Sequence, residues 1–137
     1  MRKFIGAAVL AAATALFAGQ AFAEGDPAAG ENVFKKCAAC HALEEAKNKG
    51  KQGPILAGII GRVPGTLPDF KYSKAMVEFG ASGKVWDEAT LAEYLADPKG
   101  VVKGTKMAFA GLKGAKGPQD IADVIAYLKT FSTAPTQ

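Results

Sequence analysis

Apolar positions along the chain follow three patterns. The first is a near-continuous run from Phe4 to Gly19, rich in Ala, Leu and Val and preceded by Arg2 and Lys3. Ala21-Phe22-Ala23 then forms a small-residue cleavage signature, and Glu24-Gly25-Asp26-Pro27 turns polar. Such a run is shorter than the roughly 20 residues that span a bilayer, and the order of its parts is that of a cleaved export signal. Residues 1–23 are therefore expected to be a signal peptide that sends the protein to the periplasm. Residues 24–137 are expected to form a single domain with one small core.

The second pattern is helical. From about Pro27, residues Gly30, Val33, Phe34 and Cys37 recur at spacings of three and four, which places them on one face. Asp26 can cap this helix and Pro27 suits its first position. A short helix is predicted over Ser73 to Phe79, capped by Ser73 and stopped by Gly80. Asp87 can cap a third, with Trp86 and Leu91 as a hydrophobic staple, a stripe of Leu91, Tyr94 and Leu95, and Pro98 beyond its end. Ile121, Val124, Ile125 and Leu128 fall at i, i+3, i+4 and i+7 and predict the last helix.

The third pattern is the lack of any period. Ala42 to Pro68 is punctuated by Gly50, Gly53, Pro54, Gly58, Gly61, Pro64, Gly65 and Pro68, and Lys99 to Gly117 is again glycine-rich. A structureless stretch of this kind is unusual in a compact domain. It needs something besides its own backbone pairing to order it, and a large bound cofactor would do so. No internal repeat or β-hairpin is visible. The fold class is all-α: about four short helices with long loops, and little core of their own.

Charge narrows the partners. Without Arg2 and Lys3, the seventeen basic side chains become fifteen against thirteen acidic ones, and Arg62 is the one arginine left. This mild excess, with no arginine-rich run, argues against nucleic acid. The lysines form a solvated surface; ringed around one site, they would steer an acidic partner.

The chemistry concentrates in Cys37-Ala38-Ala39-Cys40-His41, which holds both cysteines left after export and the chain's one histidine. A thioredoxin-like motif would have a strand before its CxxC, but here a helix precedes it and a loop follows. Zinc wants four ligands, and the chain offers three Cys and His residues in all. The remaining reading, C-x-x-C-H, is the attachment signal of a c-type haem. Two cysteines two residues apart can add to the two vinyl groups of one porphyrin edge, and the next residue brings its imidazole to the iron. With no second histidine, the sixth ligand falls to Met76 or Met107. Met76 sits in a predicted helix, whereas Met107 lies in the irregular "GTKMAFAG" and is the better placed of the two.

These motifs, in the order "CAACH", "GPILAGIIGR", "FKYSKAM", a tryptophan before a helix, "LAEYLADP", "GTKMAFAGL" and "DIADVIAYLK", resemble class I cytochrome c of the soluble bacterial c2 type. The resemblance runs from Gly25 to about Phe131. It implies a cytochrome c fold wrapped around one covalently bound haem c. Cys37 and Cys40 match the thioether cysteines, His41 the proximal ligand and Met107 the distal one. Pro54 matches the proline whose carbonyl accepts a hydrogen bond from the proximal imidazole. Arg62, Tyr72 and Trp86 match residues around the haem propionates, and Tyr94 and Thr105 match hydrogen-bonding residues on the methionine side. Leu56, Leu95 and Phe109 match apolar walls. Gly30 and Phe34 match the first-helix face that meets Val124 and Tyr127. The chain departs from the family pattern at Ile55, Met76 and Lys103.

The resemblance implies a monomeric one-electron carrier rather than an enzyme. Its donor would be a membrane quinol–cytochrome c oxidoreductase, and its acceptor a photosynthetic reaction centre or a terminal oxidase. Lys36, Lys51, Lys106 and Lys113 are the expected docking lysines. Two competing readings are an open-site haem enzyme or gas sensor, which would require Met107 to be displaced, and a thiol oxidoreductase using Cys37 and Cys40.

Overall fold

The computed structural model describes residues 24–132, so the export signal expected over residues 1–23 lies outside the described residues. Within them there are six helices and no strand: α1 (Pro27–Phe34), α2 (Glu45–Asn48), α3 (Lys74–Ala81), α4 (Glu88–Ala96), α5 (Pro98–Val101) and α6 (Gly117–Lys129). None of these is long and apolar enough to cross a membrane.

All three predicted caps are made. Asp26 accepts from the Ala28 N–H, Ser73 from the Met76 N–H and Asp87 from the Thr90 N–H, which satisfies amides that a helix start leaves without partners. The two additional helices are single turns. α4 ends at Ala96 with Pro98 beyond it, as predicted, and Pro98 in turn opens α5. Its fixed φ suits a first helical position, and Asp97 Oδ1 accepts from the Gly100 N–H at 3.2 Å. Gly80 does not stop α3, which continues to Ala81. A Cβ at Gly80 would collide with the Pro64 carbonyl oxygen, so this glycine serves close packing. α1 ends at Phe34, so Cys37, expected on the same helical face, lies beyond it, and the CAACH segment continues as tight turns with Cys37 N–H on Phe34 O at 2.8 Å and His41 N–H on Cys37 O at 2.9 Å.

The scaffold is the crossing of α1 on α6. Gly30 makes it close, since a Cβ there would meet the Asp123 carbonyl oxygen and the Tyr127 side chain. The Phe34 and Tyr127 rings pack at 5.6 Å. Asp123 is buried, and its Oδ1 accepts from the Asp26 N–H and from Gln119 Nε2, both at 2.8 Å. This ties the start of α1 to the middle of α6. Val124, Ile125 and Leu128 join Leu91, Tyr94 and Trp86 in one apolar cluster. Trp86 lies between Phe79 at 5.7 Å and Tyr94 at 5.0 Å.

The long loop before α3 is ordered by backbone bonds to distant segments as well as by any cofactor. Gly53 N–H donates to Cys40 O, Leu56 to Ala42, Gly58 to Phe131 and Gly61 to Trp86, at 2.8 to 3.1 Å. These bonds have no period and so leave no mark in the sequence pattern.

Candidate functional site

The turns after α1, the loop carrying Pro54, α4 and the loop before α6 together enclose a cavity of about 330 Å³. Cys37, Cys40, His41, Pro54, Leu56, Tyr72, Trp86, Tyr94, Leu95, Thr105, Met107 and Phe109 all line it. Residues drawn from across the chain thus converge on one largely apolar space.

At the histidine wall, His41 Nδ1 is 2.6 Å from the Pro54 carbonyl oxygen. A carbonyl only accepts, so Nδ1 carries the proton and Nε2 keeps its lone pair. Burial pushes the imidazole below its ordinary pKa, outweighing the opposite pull of the Pro54 bond, and so favours this neutral form. Gly53 lies directly against the ring, and a Cβ there would run into it. Cys37 and Cys40 are half-buried and not joined to each other. Burial raises the Cys37 thiol, against the lowering effect of Lys36.

At the methionine wall, Tyr94 Oη lies 2.8 Å from Thr105 Oγ1 and donates weakly to Met107 Sδ at 3.6 Å. Thr105 Oγ1 also accepts from the Met107 N–H at 3.3 Å. A tyrosine on α4 and a threonine two residues before the methionine thus fix the loop that carries the thioether. Burial raises the Tyr94 phenol, so it stays a donor.

Arg62 is the one expected cofactor residue that does not line the cavity. Its guanidinium donates to the carbonyls of Ile55 at 2.9 Å and Ala57 at 2.6 Å, where it braces the loop beside Tyr72. The four expected docking lysines also divide. Lys36 and Lys106 reach the cavity, Lys36 lying 3.8 Å from Asp120. Lys113 is exposed away from it, and Lys51 is half-buried with its Nζ on the Ala38 carbonyl at 2.8 Å.

The donor set fits a c-type haem: two thiols on one turn, an imidazole nitrogen with a free lone pair, a thioether and apolar walls around them. Among the described residues, no three His, Cys, Asp or Glu side chains gather as a metal cage. The family model described as Cytochrome c matches residues 27–132. The chain belongs to the cytochrome c family. As a cytochrome c it holds one covalently attached haem c and carries electrons rather than acting as an enzyme. It is 48% identical to the cytochrome c2 of Rhodomicrobium vannielii over 128 residues, 93% of this chain and 96% of that one. To the cytochrome c2 of Afifella marina it is 51% identical over 106 residues, covering 77% and 82%. Among solved structures, cytochrome c2 from Rhodospirillum centenum aligns with a TM-score of 0.71 at 38% identity, over 80% of this chain and all of that one. Cytochrome cH from Methylobacterium extorquens aligns at 0.67 with 43% identity, over 77% and 99%.

Several wall residues of this cytochrome c carry no ligand chemistry that a sequence reading would single out: Gln52, Gly53, Ile59, Phe70, Ser73 and Leu91. Gly53 could have been inferred from its place before Pro54, and Phe70 from its motif with Tyr72. Met76, the second methionine, also lines the cavity.

Proposed function

We propose that the protein is a diffusible, periplasmic one-electron carrier. Cys37 and Cys40 bear the thioether links, His41 is the proximal iron ligand and Met107 the distal one. The observation that carries this reading is that His41, Met107 and both thiols line a single cavity. The bound haem supplies a ferrous–ferric couple, and a thioether ligand in an apolar shell favours its ferrous form. Pro54 orients the His41 ring and keeps its proton on Nδ1; Tyr94 and Thr105 hold the Met107 loop; Leu56, Leu95 and Phe109 exclude water. Tyr72 and Trp86 would offer polar hydrogens to the haem propionates, while Arg62 braces the loop of Ile55 and Ala57. With His41 and Met107 both holding the iron, no coordination site would be left open for a substrate.

Residues 1–23 act as the export signal, and residues 24–137 form the single, monomeric carrier domain. Lys36 and Lys106 at the cavity, supported by Lys113 and more weakly by the tethered Lys51, steer docking on acidic surfaces of membrane partners. The donor is a quinol–cytochrome c oxidoreductase, and the acceptor a photosynthetic reaction centre or a terminal oxidase.

The test is optical. The ferric protein is expected to show a methionine–iron charge-transfer band at the red edge of its spectrum, and Met107→Ala is expected to abolish it. A high-spin ferric spectrum in the unaltered protein overturns the reading. Electron transfer to a partner is expected to slow as salt rises, because the Debye length falls to about 10 Å at 0.1 M. A salt-independent rate removes the docking role.

A further inference from the structure

Asn48 is the last residue of α2, and its side chain spans the two chain segments that flank the His41–Pro54 pair. Its Oδ1 accepts from the Ala42 N–H at 2.9 Å, and its Nδ2 donates to the Gly53 carbonyl at 3.3 Å. Ala42 follows the histidine and Gly53 precedes the proline. Both Ala42 and Gly53 are buried, so each backbone group depends on a protein partner in place of water. Two backbone bonds run alongside the bridge, Gly53 N–H to Cys40 O at 2.8 Å and Leu56 N–H to Ala42 O at 3.0 Å. The amide therefore closes a short ladder between the histidine segment and the proline segment.

We propose that Asn48 is a positioning residue for the proximal histidine. By clamping Ala42 to Gly53 it holds the Pro54 carbonyl on His41 Nδ1. This rests on the reading of His41 as the proximal ligand. The consequence is electronic as well as structural. A carbonyl held on the ring N–H makes the imidazole a stronger donor, which favours ferric iron. Releasing the clamp lengthens that bond, exposes the ring proton to exchange and shifts the couple toward ferrous.

The test uses the haem-loaded protein. Solvent exchange of the His41 ring N–H is read by NMR in the diamagnetic ferrous state, and the ferrous-to-ferric ratio is read at a fixed ambient potential. Asn48→Ala is expected to speed exchange tenfold or more and to raise the ratio two- to fivefold. Ala46→Gly loosens the same helical turn but leaves the bridge, and is expected to change neither. If Asn48→Ala does not load haem, the exchange test passes to Asn48→Asp, which keeps the acceptor for Ala42 and loses the donor to Gly53. Equal shifts in Asn48→Ala and Ala46→Gly, or a change in only one readout, overturn the proposal. So does unchanged exchange in whichever Asn48 variant is read. The methionine–iron band of the unaltered protein separates the two failures: a normal band with an inert Asn48 sinks this inference alone, and a high-spin spectrum sinks the ligation reading with it.

Discussion

The histidine wall and the methionine wall of the cavity are built from different materials. His41 is held by backbone: the Pro54 carbonyl at 2.6 Å, Gly53 packed against the ring, and loop amides bonded to Cys40 and Ala42. Met107 is held by side chains: the Tyr94 hydroxyl at 3.6 Å from its sulfur and the Thr105 hydroxyl on its amide. A carbonyl is a strong acceptor that does not titrate in the working range, whereas a thioether is a weak one. The histidine wall should thus tolerate little change in shape, and the methionine wall should yield gradually to changes in its hydroxyl groups and in the helix that carries Tyr94.

The largest expected break in this contrast is Gly53→Val. A branched side chain cannot share space with the His41 ring, and the overpacking is expected to cost about 3 kcal/mol of stability, measured by guanidinium unfolding of the haem-loaded protein. Stability within experimental error of the unaltered protein would mean that the ring has room to move. Tyr94→Phe should do less. It removes one hydroxyl from the methionine wall, costs about 1 kcal/mol, and leaves the methionine–iron band in place but lost at a lower denaturant concentration. A loss as large as that of Gly53→Val would erase the distinction between the walls.

The smallest expected effect concerns acid. The Thr90 amide and hydroxyl hold the Asp87 carboxyl below its ordinary range at the start of α4, the helix that carries Tyr94 and Leu95. A depressed carboxyl contributes stability above its unfolded-state pKa and loses it as pH falls through the folded-state value. The methionine–iron band is therefore expected to weaken on acidification before the His41 ring N–H loses its protection from exchange. Asp87→Asn, which keeps an acceptor for Thr90, is expected to flatten that acid dependence. Simultaneous loss of both signals in the unaltered protein would show that the walls fail as one unit.

Much of the fold was legible because caps and helical periods are local. Asp26, Ser73 and Asp87 each cap the helix that their sequence context predicts, and the Ile121 to Leu128 stripe is buried as its spacing requires. Gly80 departs from its expected role as a stop, since a glycine required for close packing looks the same in sequence as a helix terminator; that Pro98, beyond the end of α4, also opens a further turn is equally invisible there. In the site, the residues with distinctive chemistry stand out in the sequence, and Cys37, Cys40, His41, Tyr94 and Met107 line one cavity. Contacts that residue identity does not announce are not legible there: Gly53 against the His41 ring, Asn48 on the Ala42 amide and the Gly53 carbonyl, and Lys51 on the Ala38 carbonyl. Arg62 was found, but its carbonyl partners were not.

By itself the sequence determined the chemistry of the cofactor seat and the helices around it. Two cysteines and a histidine at fixed spacing, one histidine in the whole chain, and capped apolar stripes are properties of neighbours along the chain. Only the tertiary structure decided which methionine meets the Tyr94 hydroxyl, which lysines reach the cavity, and how His41 is held. Those outcomes depend on carbonyls and amides that every residue carries, so residue identity cannot announce them, and folding alone brings them within bonding distance.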